Sequence, residues 1–210
     1  CWLISTPILV LNIDNYPIIY MDRYVKLPDE EIVSLVVNGE KEVYGQIVER
    51  YEKKLKRYIM TFTKKEEDAD DVLQNVFIKV YKNLMTYDRK LKFSSWIYRI
   101  AHNESLNLVN SSFLQKVIAL QDWLTVGIHE EIEEKIDSEM LKTQLKKCID
   151  RLEIKYREPL ILNLYEEKSY EEISDILRIP VRNVGVLIHR AKIKVKEICH
   201  GHSTSSGHSE

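Results

Sequence analysis

Three cysteines in 210 residues, at positions 1, 148 and 199, are too few and too scattered for a disulfide scaffold. Six glycines and five prolines are also few, which disfavours a turn-rich all-β fold. The apolar run Ile8–Leu11 is cut by Pro7 and Asn12, far short of the ~20 apolar residues that cross a bilayer. No basic stretch precedes it, as a signal peptide would require, so no membrane insertion is expected and the chain is read as cytoplasmic. A Gly-rich phosphate cradle and a nucleophile–base arrangement are both missing, so we expect no enzyme, no cofactor and no metal. His200, His202 and His208 cluster with Cys199, but in a Gly/Ser/His-rich ending read as a disordered tail. Charge of one sign is missing too: 31 Lys+Arg against 33 Asp+Glu leave a net charge of -2, which does not advertise a nucleic-acid binder.

What is present is unevenly spread. Residues 29–110 hold 14 acidic and 14 basic side chains, whereas 111–138 hold six acidic and two basic. Residues 182–196 carry five basic groups and no acid. A neutral module, an acidic connector and a module with a basic edge therefore follow one another. We divide the chain into an uncertain extension 1–28, a first domain 29–110, a linker 111–138, a second domain 139–198 and a tail 199–210. Met21, followed by the polar DRYVKLPDEE, would make a natural start; a strand or upstream translated sequence would also account for the residues before it.

Both modules read as helices, so the fold class is all-α with two small helical domains. Pro28-Asp29 opens a helix carrying Ile32, Leu35 and Val36. Val43, Ile47, Val48, Tyr51, Leu55, Tyr58 and Ile59 stripe a second. A third carries Val72, Leu73, Val76, Phe77, Val80, Tyr81 and Leu84, with Asp68, Asp70 and Asp71 in its first turn to complement the dipole. After Tyr87-Asp88-Arg89-Lys90, Ser94 or Ser95 can cap a fourth, striped by Trp96, Ile97, Ile100, Ala101 and Leu106. In the second module Leu141, Leu145, Cys148 and Ile149 mark one helix, and Pro159, Leu160, Ile161, Leu164 and Tyr165 the next.

Residues 169–196 are the most diagnostic. Ser169 and Glu172 have capping-box spacing, and Ile173, Ile176 and Leu177 give a buried face. Pro180 ends that helix and suits the first turn of another, striped by Val181, Val184, Leu187, Ile188 and Ala191. Two helices joined by a short turn are the geometry that lowers a second helix into a major groove. Such pairs also serve as plain packing units, and a basic final helix can be a solvated face.

Two stretches resemble the bacterial RNA polymerase sigma-70 family, in its compact extracytoplasmic-function (ECF) group with only regions 2 and 4. They are ADDVLQNVF at 69–77 with FSSWIYRIAHNESLNLV at 93–109, and YREPLILNLYEEKSYEEISDILRIPV at 156–181. The resemblance implies a sigma factor that binds core polymerase, at the β′ clamp helices and the β subunit, and promoter DNA; an anti-sigma factor is a further partner it allows. Its docking face would comprise Asp71, Gln74, Asn75 and Lys79, with Asn75 where the family usually has Glu. Promoter −10 readers would be Tyr87, Arg89, Lys90, Lys92, Tyr98, Arg99, His102 and Asn103, aromatics and cations suited to single-stranded DNA. His102 stands where Arg is more usual, and Trp96, aromatic at helical spacing, suits the core better than a base platform. Readers of −35 would be Arg178, Arg182, Asn183, Arg190, Lys192 and Lys194. Arg178 stands where a Gly is frequent, and Gly185, Val186 and Leu187 replace the usual basic contacts. The acidic 111–138 would thread toward the polymerase channels.

Two other classes fit the residues: a helix-turn-helix regulator that binds operator DNA without core polymerase, and an interaction protein that has lost its DNA readers.

Overall fold

The computed structural model describes residues 24–63, 65–119 and 138–201, with side-chain surroundings over 24–63, 65–110 and 143–200. Among them are eight α-helices, α1 Asp29–Val37, α2 Tyr44–Ile59, α3 Glu66–Asn83, α4 Phe93–Ala119, α5 Ser138–Asp150, α6 Ile154–Leu164, α7 Tyr170–Leu177 and α8 Val181–Gly201. The first four form one cluster and the last four another. The all-α, two-cluster expectation holds. Residues 1–23 and 120–137, with most of the expected linker and its Glu130, Glu131, Glu133 and Glu134, lie outside the described residues, as do His202 and His208.

Helix starts follow local chemistry. Asp29, Glu30 and Glu31 open α1, and Glu66, Glu67 and Asp68 open α3, so negative charge complements the positive end of each helix dipole without a side-chain cap hydrogen bond. The fourth helix departs from expectation, because neither Ser94 nor Ser95 caps it. It begins at Phe93, whose amide donates to Glu30 Oε1 at 3.1 Å, so a carboxylate from α1 takes the capping role. Ser95 is buried inside the first turn instead. α4 also runs to Ala119, into what the sequence assigned to the linker, and α8 runs to Gly201, past the expected boundary at 198.

In the second cluster the capping box forms as read: the Glu172 amide donates to Ser169 Oγ at 3.2 Å and the Ser169 amide to Glu172 Oε2 at 2.8 Å. Arg178 keeps the turn that a Gly would serve by adopting the left-handed conformation itself, at φ 57°. An added Cβ at Gly185 would lie 3.4 Å from the Tyr170 ring, an ordinary contact distance, so packing does not demand a glycine there. One disulfide, unforeseen in the sequence, joins Cys148 of α5 to Cys199 of α8.

The two clusters share a core. α4 packs against α3 on one side and α7 on the other, and buried side chains from Ile32 to Ala191 form one contiguous apolar group. The second cluster therefore sits directly on the helix that carries the expected −10 readers.

Candidate functional site

On α3, Asp71, Gln74 and Asn75 are exposed and share a face, as residues three and four apart must. Ile78 completes that face and is 44% exposed, an apolar centre that the sequence reading assigned no role. Lys79 lies at its edge, with Nζ 2.6 Å from Glu104 Oε1, so its charge is engaged by α4. The arrangement is an exposed row of three polar residues that ends on one apolar residue.

The loop before α4 and the helix itself separate the −10 candidates into two groups. Arg89, Lys90, Lys92 and Asn103 are exposed. Tyr87 is only 7% exposed; its hydroxyl donates to the Leu91 carbonyl and its ring packs on Phe93 and Trp96, 5.5 and 5.3 Å between centroids. Burial pushes its phenol pKa up to about 12. In this arrangement Tyr87 and Trp96 build the platform beneath the loop.

Tyr98 and His102 face the second cluster and are covered by it. Tyr98 is 1% exposed and its hydroxyl donates to Glu166 Oε2, while Lys168 Nζ lies 4.8 Å from its ring centroid. His102 Nδ1 sits 2.6 Å from Glu158 Oε1, which also accepts the Tyr58 hydroxyl. Arg57 Nη2 lies 2.8 Å from Glu166 Oε1, and Lys92 Nζ 3.1 Å from Glu172 Oε1. The Arg157 guanidinium donates back to the Thr61 carbonyl. Three carboxylates of the second cluster thus occupy the cations and hydroxyls of the first.

Burial dominates the electrostatics of this seam. It raises the Tyr58 and Tyr98 phenols well above their ordinary 10, with Glu158 and Glu166 adding to the effect. It lowers Lys168, with Glu172 and Glu166 opposing, and it lowers Arg99, which also feels Arg178 across the seam. Burial opposes ionisation of Glu172 as well, yet hydrogen bonds from the Ser169 backbone and from Lys92 outweigh it and hold that carboxyl below its usual range.

Arg178, beside the seam, and Arg182, Asn183, Arg190 and Lys192 beyond it are exposed along the turn and α8. Lys194 is half-buried, with Nζ 5.3 Å from the Tyr156 ring centroid. The buried stripe Val184, Ile188 and Ala191 lies on the opposite side of α8, which leaves the basic residues outward. Among the described residues no three His, Cys, Asp or Glu are grouped to hold a metal, and no helix is long and apolar enough to cross a membrane.

Two family profiles match in this order: Sigma-70 region 2 over residues 47–112, and Sigma-70 region 4 over residues 142–195. Together they take in more than half of the chain and both helical clusters. The chain belongs to the sigma-70 family, in its ECF group. It is 29% identical over 171 residues to the ECF RNA polymerase sigma factor SigW of Bacillus subtilis, covering 76% of this chain and 90% of that one. It is 28% identical to the ECF RNA polymerase sigma-E factor of Haemophilus influenzae, covering 80% and 93%. Its fold is similar to that of CnrH, solved in complex with the cytosolic domain of CnrY, at a TM-score of 0.63 and 21% identity over 82% of this chain and 97% of CnrH. It is similar also to the sigma factor RpoE of Bartonella quintana, solved with the anti-sigma factor NepR, at 0.60 and 18% over 74% and 95%. A sigma-type role in transcription follows from this membership.

In sigma-70 terms, the region 2 profile ends inside α4 and the region 4 profile takes in α6, α7 and most of α8. Sequence reasoning found the motifs of both regions but missed Glu158, Glu166 and Glu172 as one group. Glu172 was noticed as a cap only. Glu158 carries a faint signal, an acidic residue directly before Pro159 and the apolar run Leu160–Leu162, whereas Glu166 beside Glu167 looks like an ordinary solvated pair.

Proposed function

We propose that this sigma factor binds core RNA polymerase through the α3 face of Asp71, Gln74, Asn75 and Ile78, with Lys79 at its edge. The −10 element is read through Arg89, Lys90, Lys92, Tyr98, Arg99, His102 and Asn103, and the −35 element through Arg178, Arg182, Asn183, Arg190, Lys192 and Lys194. Tyr87 acts as the platform under the −10 loop. The regions follow the division 29–110, 111–138 and 139–198, and polymerase supplies the catalysis. Binding energy at two promoter elements offsets strand opening, and captured bases favour the melted state.

The observation that carries this reading is the seam. Tyr98 and His102 of α4 are held by Glu166 and Glu158, and Lys92 just before the helix by Glu172, so negative charge stands beside groups suited to single-stranded DNA. The arrangement is a closed form, and promoter reading requires region 4 to leave α4. Polymerase binding at α3 leaves the seam free to part, since Asp71, Gln74, Asn75 and Ile78 take no part in the hydrogen bonds and ion pairs that close it. An anti-sigma factor is a natural further partner, because one relative of the same fold was solved with one.

The deciding experiment adds the chain to purified bacterial core polymerase and measures run-off transcription from upstream genomic DNA. Initiation that depends on the chain supports the sigma reading. Operator binding without initiation would favour the helix-turn-helix regulator instead, and neither activity would favour an interaction protein.

A further inference from the structure

Cys148 and Cys199 are 51 residues apart in sequence and bonded in space, with Cα atoms 5.8 Å apart. The loop they close contains α6, α7 and nearly all of α8, and with them every proposed −35 reader. Region 4 has its own apolar core without the bond: Ile149, Leu152, Leu160, Leu162, Ile173 and Ile188 are all buried. The pair is also asymmetric. Cys148 is 6% exposed, whereas Cys199 is half-buried in the last turns of α8, so Cys199 is the more accessible residue of the two. Charges of both signs flank the pair, Lys146, Lys147 and Asp150 around Cys148 and Lys196 and Glu197 before Cys199.

Resting on the sigma reading, the chain works where the chromosome and polymerase are, in the reducing interior of a cell. Disulfides there are uncommon, and those that form are mostly catalytic or redox-sensing. The third cysteine, Cys1, lies outside the described residues, and among the described residues no three His, Cys, Asp or Glu are grouped around Cys148 and Cys199 to hold a metal.

We propose that Cys148 and Cys199 are a reversible thiol–disulfide site that sets how firmly the end of the −35 helix is held. The oxidant is a low-molecular-weight disulfide of the glutathione class, RSSR. A Cys199 thiolate attacks one sulfur of RSSR and expels RS⁻, which takes up the proton lost from Cys199 to leave as RSH. Cys148, as thiolate, then attacks the mixed disulfide at the Cys199 sulfur and releases the second RSH. Two protein thiols and one RSSR become one protein disulfide and two RSH, so two electrons pass from the protein to the oxidant. Oxidation ties the last turns of α8, with Lys192, Lys194 and Lys196 just before them, to α5. Reduction lets those turns fray.

The test uses the full chain carrying Cys1→Ser, equilibrated in glutathione buffers of graded ratio, then alkylated and weighed. The expected result is one intramolecular transition within the glutathione range. Trypsin should cut after Lys192, Lys194 and Lys196 several-fold faster in the reduced form, and Cys148→Ser and Cys199→Ser should cut at the reduced rate in either buffer. Run-off transcription with core polymerase should differ roughly threefold or more between the two forms, the loss expected when one or two phosphate contacts are given up. A bond that stays closed in excess glutathione would be structural and would overturn the proposal. Thiols that never close, equal tryptic cleavage, or equal transcription from the two forms would overturn it as well. Absence of transcription from both forms would count against the sigma reading alone, and the thiol and trypsin results would then decide the site by themselves.

Discussion

Replacing Glu166 with Ala should open the seam. The Glu166 side chain is 1% exposed and accepts from two groups, the Tyr98 hydroxyl and the Arg57 guanidinium, whose Nε lies 2.9 Å away. The two contacts do not weigh equally. Arg57 is 53% exposed, so its ion pair is screened and worth about 0–1 kcal/mol. The Tyr98 hydroxyl is buried and would lose its only carboxylate partner, a cost of about 1–3 kcal/mol while the seam stays closed. The closed form should therefore weaken by roughly 1–4 kcal/mol, or about 5- to 900-fold in the open-to-closed ratio. Both partners of Glu166 belong to region 2, so the loss falls on the contact between regions and not on the helix packing inside either one. Single-molecule energy transfer between dyes at exposed Met85 and Val186, attached without using cysteine, should show the long-distance population grow. A fluorescent single-stranded −10 oligonucleotide should bind more tightly by a similar factor. Tyr98→Phe in the same chain should recover part of the closed population, because it removes the orphaned hydroxyl. Identical distance distributions in the wild type and Glu166→Ala, together with additive effects of the two substitutions, would refute the carboxylate latch.

Four further outcomes are expected. Asp71→Ala with Gln74→Ala should lower affinity for core polymerase at least tenfold while changing the urea midpoint little, since both side chains are exposed; unchanged holoenzyme assembly would reject the docking face. Alkali should weaken the fold: Tyr58 and Tyr98 have folded-state pKa values raised above 10, so their contribution is whole below pH 10 and is lost as pH rises beyond it, about 1.4 kcal/mol each by pH 11. Denaturation midpoints between pH 9 and 11 should fall less steeply in Tyr58→Phe and Tyr98→Phe. Arg178→Gly should stabilise region 4 by about 1 kcal/mol by relieving its left-handed backbone, yet weaken −35 binding by the holoenzyme; a gain in both would remove Arg178 from the readers. Reducing the Cys148–Cys199 bond should lower resistance of region 4 to urea by up to about 4 kcal/mol, the chain entropy of a loop that long.

The helices were legible because their causes are local. A stripe such as Val72, Val76 and Val80, a capping box at Ser169 and Glu172, and a breaker at Pro180 each act within a few residues, so the sequence alone determined the all-α class, the helix-turn-helix and the order of the two family regions. The exposed faces of α3 and α8 followed, since a helix that buries one stripe must present the other. The seam was another matter. Glu166 differs in no local respect from the solvated Glu167 beside it, and only the approach of Tyr98, 68 residues earlier, makes it a buried acceptor. Glu30 became the cap of α4, and Cys148 met Cys199, for the same reason. Partners brought together across such separations are chosen by packing of the apolar core, and polar side chains acquire their roles from where that packing leaves them. The sequence by itself determined which surfaces this sigma factor could offer to polymerase and DNA. The tertiary structure alone decided that one of them is closed by the chain's own carboxylates.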